Sequence, residues 1–300
     1  MLFRSQGLET TLAQIAADEL GVTPDDVTVI NGDTAGIAQG IGTFASRAAV
    51  VGGSAVALAA RDLRSRAIRL AALVLAVPED EVEQAGVVFA HRHRPDHRVD
   101  LARLASVAAI ASAAQGVEPG LDVTRFFQPP DITYSSGAHV GLVEVDPDSG
   151  QVTLLDYWIC HDSGRLINPL IVEGQIAGAV ALGIGSALYE NVRYDDEGQP
   201  LAGTLMDYAL PRSTDVPPLR MDHLETPSLL NPLGLKGVGE SGALPVPAVV
   251  ASAIENALDG CGMIIRQMPL TPETLTRLIL PRLMQNGPDQ VIARTGRDHT

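Results

Sequence analysis

Aromatic residues are scarce. Phe, Tyr and Trp make up 4% of the 300 residues, with a single Trp, so a core must be built from Ala, Val, Leu and Ile. Cysteine is nearly absent. Cys160 and Cys261 are the only two; they permit one disulfide but no disulfide framework, and cannot supply the four thiolates of an iron–sulfur cluster. Positive charge is in deficit, with 21 Lys and Arg against 36 Asp and Glu and a formal charge of -15. Such a surface repels a phosphate backbone and argues against nucleic acid as a partner. Long apolar runs are missing too. The longest, Ile176–Tyr189, has 14 residues and contains three glycines, short of the roughly 20 that cross a bilayer. Met1-Leu-Phe-Arg-Ser passes into polar sequence too soon for a secretory leader. A soluble, cytoplasmic protein without a membrane span is expected.

What is present suffices for a core: 46% of residues are hydrophobic, and the length suits one large or two modest domains. With 29 Gly and 20 Pro, many loops between short elements are expected. Leu12, Ile15, Ala16 and Leu20 recur at helical spacing, so Glu9–Leu20 is predicted to be a helix capped by Gly21. Thr23–Asp26 reads as a turn, and Val27–Ile30 as a strand by its alternation. Ser54–Val77 predicts a long helix with Val56, Ala60, Leu63, Ala67, Leu70 and Leu75 on its apolar face and Arg61, Arg64, Arg66 and Arg69 on a solvated surface with carboxylate neighbours. Val82–Ala90 reads as a strand. His91-Arg-His-Arg-Pro-Asp-His97 has three histidines in seven residues, but Pro95 breaks the spacing, and a polar turn before a helix over 101–114 explains them better than a metal site. Residues 115–130 read as a connection between lobes. His139–Cys160 is the clearest hairpin, turning at Asp146-Pro-Asp-Ser-Gly150. A small-residue helix follows over 172–189, then a strand and turn over 191–198 and a proline-rich connector. Thr271 and Pro272 open a last helix facing inward through Leu275, Leu278 and Ile279.

Three stretches carry candidate chemistry. Pro232-Leu-Gly-Leu-Lys-Gly-Val-Gly-Glu-Ser-Gly242 holds four glycines and one carboxylate, Glu240. Its backbone can approach a bound group closely, and Glu240 stands just before a helix-like run from Pro247 to Leu258, a plausible place for a general base. The alternative is a glycine-rich turn with a solvent-facing Glu. Lys236 either stabilises that carboxylate or faces solvent. Gln39-Gly-Ile-Gly-Thr-Phe-Ala-Ser-Arg47, followed by Gly52-Gly-Ser54 at a helix start, either cradles an anion or is a small-residue linker. Gln175, in Val172-Glu-Gly-Gln-Ile-Ala-Gly178, either reads a polar edge through its amide or satisfies a nearby carbonyl in close helix packing.

Lys236-Gly-Val-Gly-Glu-Ser-Gly242 resembles the signature of the molybdenum hydroxylases, the xanthine dehydrogenase, aldehyde oxidase and aerobic carbon monoxide dehydrogenase superfamily. Other segments are similar to that family in the same order. They are Gln6-Gly7 leading into a helix, Gly42-Thr43 with Ser46-Arg47, Asp162-x-Gly164-x-x-Ile167-Asn168-Pro169, Gly174-Gln175, Met206-Asp-Tyr208, Glu225-Thr-Pro227 and Asn231-Pro232. The resemblance runs from about residue 6 to 280. It implies an α+β fold in two lobes, with helices packed on mixed or antiparallel sheets: a first lobe over 1–125, a second carrying the glutamate loop over 126–285, and a polar tail over 286–300. It implies Glu240 as catalytic base. Gln6, Gly7, Gly42, Thr43, Ser46, Arg47, Gln175, Lys236, Gly237, Val238 and Gly239 are implied as cofactor-binding residues, with no protein ligand to the metal. The implied cofactor is molybdenum–molybdopterin in its cytosine dinucleotide form. The implied partners are the upstream part of the large subunit, an iron–sulfur small subunit and an FAD-binding medium subunit. The substrate would be an aldehyde, an N-heterocycle or carbon monoxide. The family's large subunit is longer, and Ser5 replaces the first glycine of its Gly-Gln-Gly loop, so residues 1–5 are expected not to be native and the chain to be a truncated C-terminal fragment, inactive alone. The alternative is a non-catalytic fragment or assembly module that needs the upstream domain.

Overall fold

The computed structural model describes residues 6–37, 42–110, 119–259 and 262–286. Residues 1–5, Gln39–Ile41 of the second glycine-rich stretch, Cys261 and the polar tail beyond Asn286 lie outside the described residues. The expected α+β class is observed, as two compact units. The first comprises the chain through Tyr134 with Gly164–Asn168 and Thr226–Gly237; the second comprises Ser135–Ser163, Pro169–Glu225 and Val238 onward.

In the first unit, helix α1 (Leu8–Leu20) ends at Gly21, whose φ of 70° supplies the left-handed cap read from sequence. The following 3₁₀ turn, Pro24–Asp26, is closed by a capping box between Thr23 and Asp26. The expected strand at Val27–Ile30 does not form. Val27 is extended, and burial alternates along the segment, but no strand among the described residues pairs with it. A π-helical turn, Ala49–Gly53, leads into α2 (Ser54–Leu75). Of the arginines on α2, Arg61 meets Glu19 at 2.6 Å, whereas Arg64 donates to the Gln84 amide oxygen and Arg66 to Asp122 O.

The single strand expected over 82–90 is two, β1 (Val82–Ala85) and β2 (Val88–His91), because Gly86 takes a positive φ of 58° and turns the chain. Strand β3 (Arg94–Asp100) completes an antiparallel sheet in the order β1-β2-β3. The expected polar turn at 91–97 is thereby corrected. His91 and His97 lie on paired strands, and a bulge at Ala90/His91 masks the period of two. Helix α3 (Leu101–Ile110) follows. Phe89, Leu70, Ala71 and Leu104, all almost completely buried, centre the core of this layer. Full burial of each large side chain contributes about 1.5–3 kcal/mol.

The second unit is built on a mixed sheet. Strands β4 (Ser136–Val145) and β5 (Val152–Asp162) form the expected hairpin, extended at its open end, with Gly150 at φ 70° in the turn. Strand β6 (Leu219–Leu224) adds parallel to β5, pairing Tyr157 with Leu219 through Asp162 with Leu224. Helix α4 (Pro169–Leu188) has 20 residues, longer than the apolar run suggests, because Pro169 opens it and Leu170–Val172 extend it. It is long and apolar enough to cross a membrane by length and composition. Ile176, Val180 and Ile184 are nevertheless wholly buried in protein, as expected of a core helix. The strand expected within 191–198 reduces to a bridge between Tyr194 and Pro200. Helix α5 (Val246–Ala257) lies against β4, where Gly141 admits Val249. Helix α6 (Pro272–Asn286) is capped by Thr271, whose hydroxyl accepts from Thr274 N–H, and buries Leu275 and Ile279.

Candidate functional site

Two glycines with positive φ, Gly164 (68°) and Gly234 (71°), let two backbones cross in the first unit. A bridge joins Gly164 to Leu235. Gly234 O accepts from Arg165 N–H at 3.0 Å and from Ser228 N–H at 3.1 Å. A Cβ on Gly164 would overlap Gly234 O. Asn231 is buried beside this crossing. Its amide donates to Leu235 O at 2.8 Å and accepts from Leu235 N–H at 2.9 Å and Leu233 N–H at 3.3 Å. The Lys236 ammonium donates to the Thr226 hydroxyl at 2.7 Å.

Two residues past Leu235, the loop meets the second glycine-rich stretch. A Cβ on Gly237 would stand 2.8 Å from Ser46 O and 2.9 Å from Ser46 Cβ, so glycine is what lets these backbones touch. Ala45 and Ser46 both take φ 52°, a left-handed pair of non-glycine residues that costs roughly 1–2 kcal/mol for each. Gly42 (φ 100°) has open space where a Cβ would be. Arg47 is exposed, with its guanidinium 4.4 Å from the Phe44 ring centroid. Gln6 and Gly7 open α1; Gly7 is its N-cap at φ 69°, and no side chain caps that end. α1 is held to this unit by Ile15 against Gly53 and by Asn168, whose amide donates to Gln14 at 3.1 Å.

The chain passes into the second unit between Gly237 and Val238. Val238 and Gly239 are half-buried and lead into a turn around Glu240, which is exposed. Ser241 donates through its hydroxyl to Val238 O at 2.8 Å, and Glu240 O accepts from Ala243 N–H at 3.1 Å. A Cβ on Gly242 would lie 2.8 Å from Ile176 O and from Ala179 Cβ. The glutamate turn therefore presses on α4 immediately beside Gln175, which is half-buried.

The sequence-predicted residues thus fall into two groups. Ser46 and Gly237 touch in the first unit, which also carries Gln6, Gly7, Gly42, Thr43, Arg47 and Lys236. The turn bearing Glu240 packs next to Gln175 in the second. In the first unit, the hydroxyls of Thr43 and Ser46, the start of α1 with no side-chain cap and the exposed Arg47 guanidinium are groups of the kind that meet an anionic, hydrogen-bonding ligand. Sequence reasoning missed Asn231 and Thr226 as supports of the loop. The signal available was an Asn four residues before Leu235, a spacing at which an amide can mimic a neighbouring strand. It also missed a polar group on the second unit's sheet. His139 contacts the buried Tyr157 hydroxyl at 3.1 Å, and His161, paired with His223 across β5 and β6, contacts Ser163 Oγ at 2.9 Å. Burial, then the neighbouring His161, lowers the His139 pKa. Burial, then His223, lowers that of His161 against the opposing charge of Asp162, and burial raises that of Tyr157.

Most of the chain is similar to known proteins. The chain is 36% identical over 287 residues to the nicotine 6-hydroxylase large subunit of Paenarthrobacter nicotinovorans, covering 95% of this chain and 35% of that one. It is 36% identical over 238 residues to the carbon monoxide dehydrogenase large chain of Afipia carboxidovorans, covering 79% and 29% respectively. The crystal structure of quinoline 2-oxidoreductase from Pseudomonas putida 86 superposes with a TM-score of 0.84 at 39% identity, over 93% of this chain and 36% of that one. The chain therefore spans about a third of the length of the curated relatives it matches. The molybdopterin cofactor-binding domain family matches residues 4–217, and the chain belongs to that family.

Proposed function

We propose that this chain is part of the large subunit of a molybdopterin-dependent oxidoreductase that oxidises an aldehyde, an N-heterocycle or carbon monoxide with water as the oxygen source. Gln6, Gly7, Gly42, Thr43, Ser46, Arg47, Gln175, Lys236, Gly237, Val238 and Gly239 would hold the cofactor, in its cytosine dinucleotide form. The bound molybdenum supplies an electrophilic centre and a sink for the substrate's electrons. Glu240 is the base that accepts the proton released as the oxygen attacks. Iron–sulfur and FAD-binding partner subunits carry the electrons onward, and the assembly is cytoplasmic. The observation that carries this reading is the glutamate loop itself, whose Gly237 backbone packs on Ser46 and whose Glu240 turn packs on α4 beside Gln175.

Glu240→Gln in the assembled complex keeps size and some hydrogen bonding but cannot take a proton. Turnover should fall by about 10² to 10⁴, the usual scale for a positioned base, with molybdenum content unchanged; Glu197→Gln, exposed in a surface turn, should be neutral. The measurement is reduction of an artificial electron acceptor with aldehydes, purines and carbon monoxide. Parent-like turnover of Glu240→Gln removes it from the mechanism, and a complex without molybdenum by elemental analysis removes the reaction class.

A further inference from the structure

We infer that Asn231 is a positioning residue that sets the path of the glutamate loop; the inference rests on the cofactor site proposed above. Leu235 is held on two flanks. On one, the Gly164 segment bridges it as a strand would. On the other, the Asn231 side chain stands where a second strand would be, giving its N–H to Leu235 O and its carbonyl to Leu235 N–H at 2.8 and 2.9 Å. One amide thus satisfies both backbone polar groups of a buried residue, and only this orientation of the amide makes both bonds. The Leu235 side chain is buried as well, its Cδ1 3.7 Å from where a Cβ on Gly53 would stand. Leu235 is therefore fixed through backbone and side chain together. Only Lys236, whose ammonium is itself held on Thr226, stands between it and Gly237 in the chain, and Gly237 must approach Ser46 within a margin that would not admit a methyl group. A displacement at Leu235 passes along two peptide units to that contact.

Asn231→Asp tests this without changing shape. The amide nitrogen becomes an oxygen facing Leu235 O, so the two repel while the carboxylate is charged. Once protonated, the new carboxyl donates again. Burial and the facing carbonyl favour the protonated form, whereas the N–H groups of Leu233 and Leu235 that meet the other oxygen favour the carboxylate, so recovery is followed against the parent at each pH down the whole acid range in which the protein stays folded. In the 300-residue chain at pH 8, hydrogen–deuterium exchange of a peptide spanning 233–239 should be faster than in the parent, returning to the parent's rate as the pH is lowered. Asn231→Leu, which cannot recover, should exchange fast at every pH; thermal unfolding of all three proteins checks that they fold. In the assembled complex, Asn231→Asp at pH 8 should lose roughly ten- to hundredfold in kcat with KM within about twofold, and recover in acid relative to the parent. A merely structural role would not give this acid-recovered loss confined to kcat. Parent-like exchange at pH 8 overturns the assignment. Exchange that rises while kcat per molybdenum stays at the parent's value overturns the role of the loop, and hence the proposed site, while leaving the contact between Asn231 and Leu235 intact.

Discussion

At the scale of single residues, the histidines on the second unit's sheet make a prediction independent of any cofactor. Both His139 and His161 are shifted below the ordinary 6.5 by burial first and a neighbouring imidazole second. The unfolded chain therefore binds protons that the folded unit refuses, and stability rises with pH wherever that difference holds, by about 1.4 kcal/mol per pH unit for each proton. The contribution is complete above pH 6.5 and lost as pH falls through the folded values. Asp26, Asp146 and Asp215 are shifted below 3.8 by hydrogen bonds from Thr23, Ser149 and Arg212, so their share is lost only in stronger acid. Between these limits the melting temperature should fall with pH, and His139→Gln with His161→Gln should flatten that slope. An unaltered slope in the double variant would assign the acid sensitivity to other groups. These histidines were not legible as a cluster: 22 residues separate His139 from His161 and 62 separate His161 from His223 in sequence, and only the β5–β6 pairing brings the last two together.

At the scale of elements, α4 resolves an ambiguity the sequence leaves open. Small residues on a helix admit either another backbone or a flat ligand, and the glycines of α4 divide between close packing and open space. A Cβ on Gly183 would meet Val246 Cβ at 2.6 Å and Ala243 O at 2.9 Å, whereas one on Gly178 meets nothing within 4 Å. Gly183→Ala should therefore cost about 1–3 kcal/mol through overpacking, and Gly178→Ala should stabilise by up to about 1 kcal/mol through helix propensity. Denaturant unfolding of the two variants checks both signs; equal effects would mean that α4 does not lie against the start of α5. The helices were legible because their apolar spacing and caps are local, as at Gly21 and Thr271. The strands were legible only where a partner was local too. The β4–β5 hairpin announced itself through Asp146–Gly150. Val27–Ile30 had the alternation but no partner among the described residues, and β6 lay hidden behind Pro217 and Pro218 because its partner β5 is 57 residues or more upstream.

At the scale of the whole molecule, the returns of the chain matter most. Gly164–Asn168 and Thr226–Gly237 leave the second unit to build the first, and no local pattern announces a pairing between Gly164 and Leu235. The glutamate loop, by contrast, was readable from its density of glycines, although the groups that demand them lie far off in sequence: Ser46 against Gly237, and Ile176 and Ala179 against Gly242. The outer face of the mixed sheet also bears on the proposed place of this chain in a longer subunit. The register sets Val140 opposite Trp158, and all of Val140, Leu142 and Trp158 are exposed, with 59% of Val140 open to solvent. Arg220 lies over the Trp158 ring at 5.9 Å and pairs with Asp156 at 2.9 Å. An apolar strip of this kind, rimmed by an ion pair, suits burial by another polypeptide. Adding the polypeptide that completes the large subunit should raise the melting temperature of this chain, since a partner that binds only the folded state stabilises it by mass action. Trp158 is the only tryptophan, so 5-fluorotryptophan labelling gives a single ¹⁹F resonance that should move on association. Val140→Lys with Leu142→Lys should weaken binding while leaving the isolated chain folded, because neither side chain is buried there. A resonance and melting temperature that stay fixed when the completing polypeptide is added would mean that this face remains open and that the 300 residues stand as a module of their own.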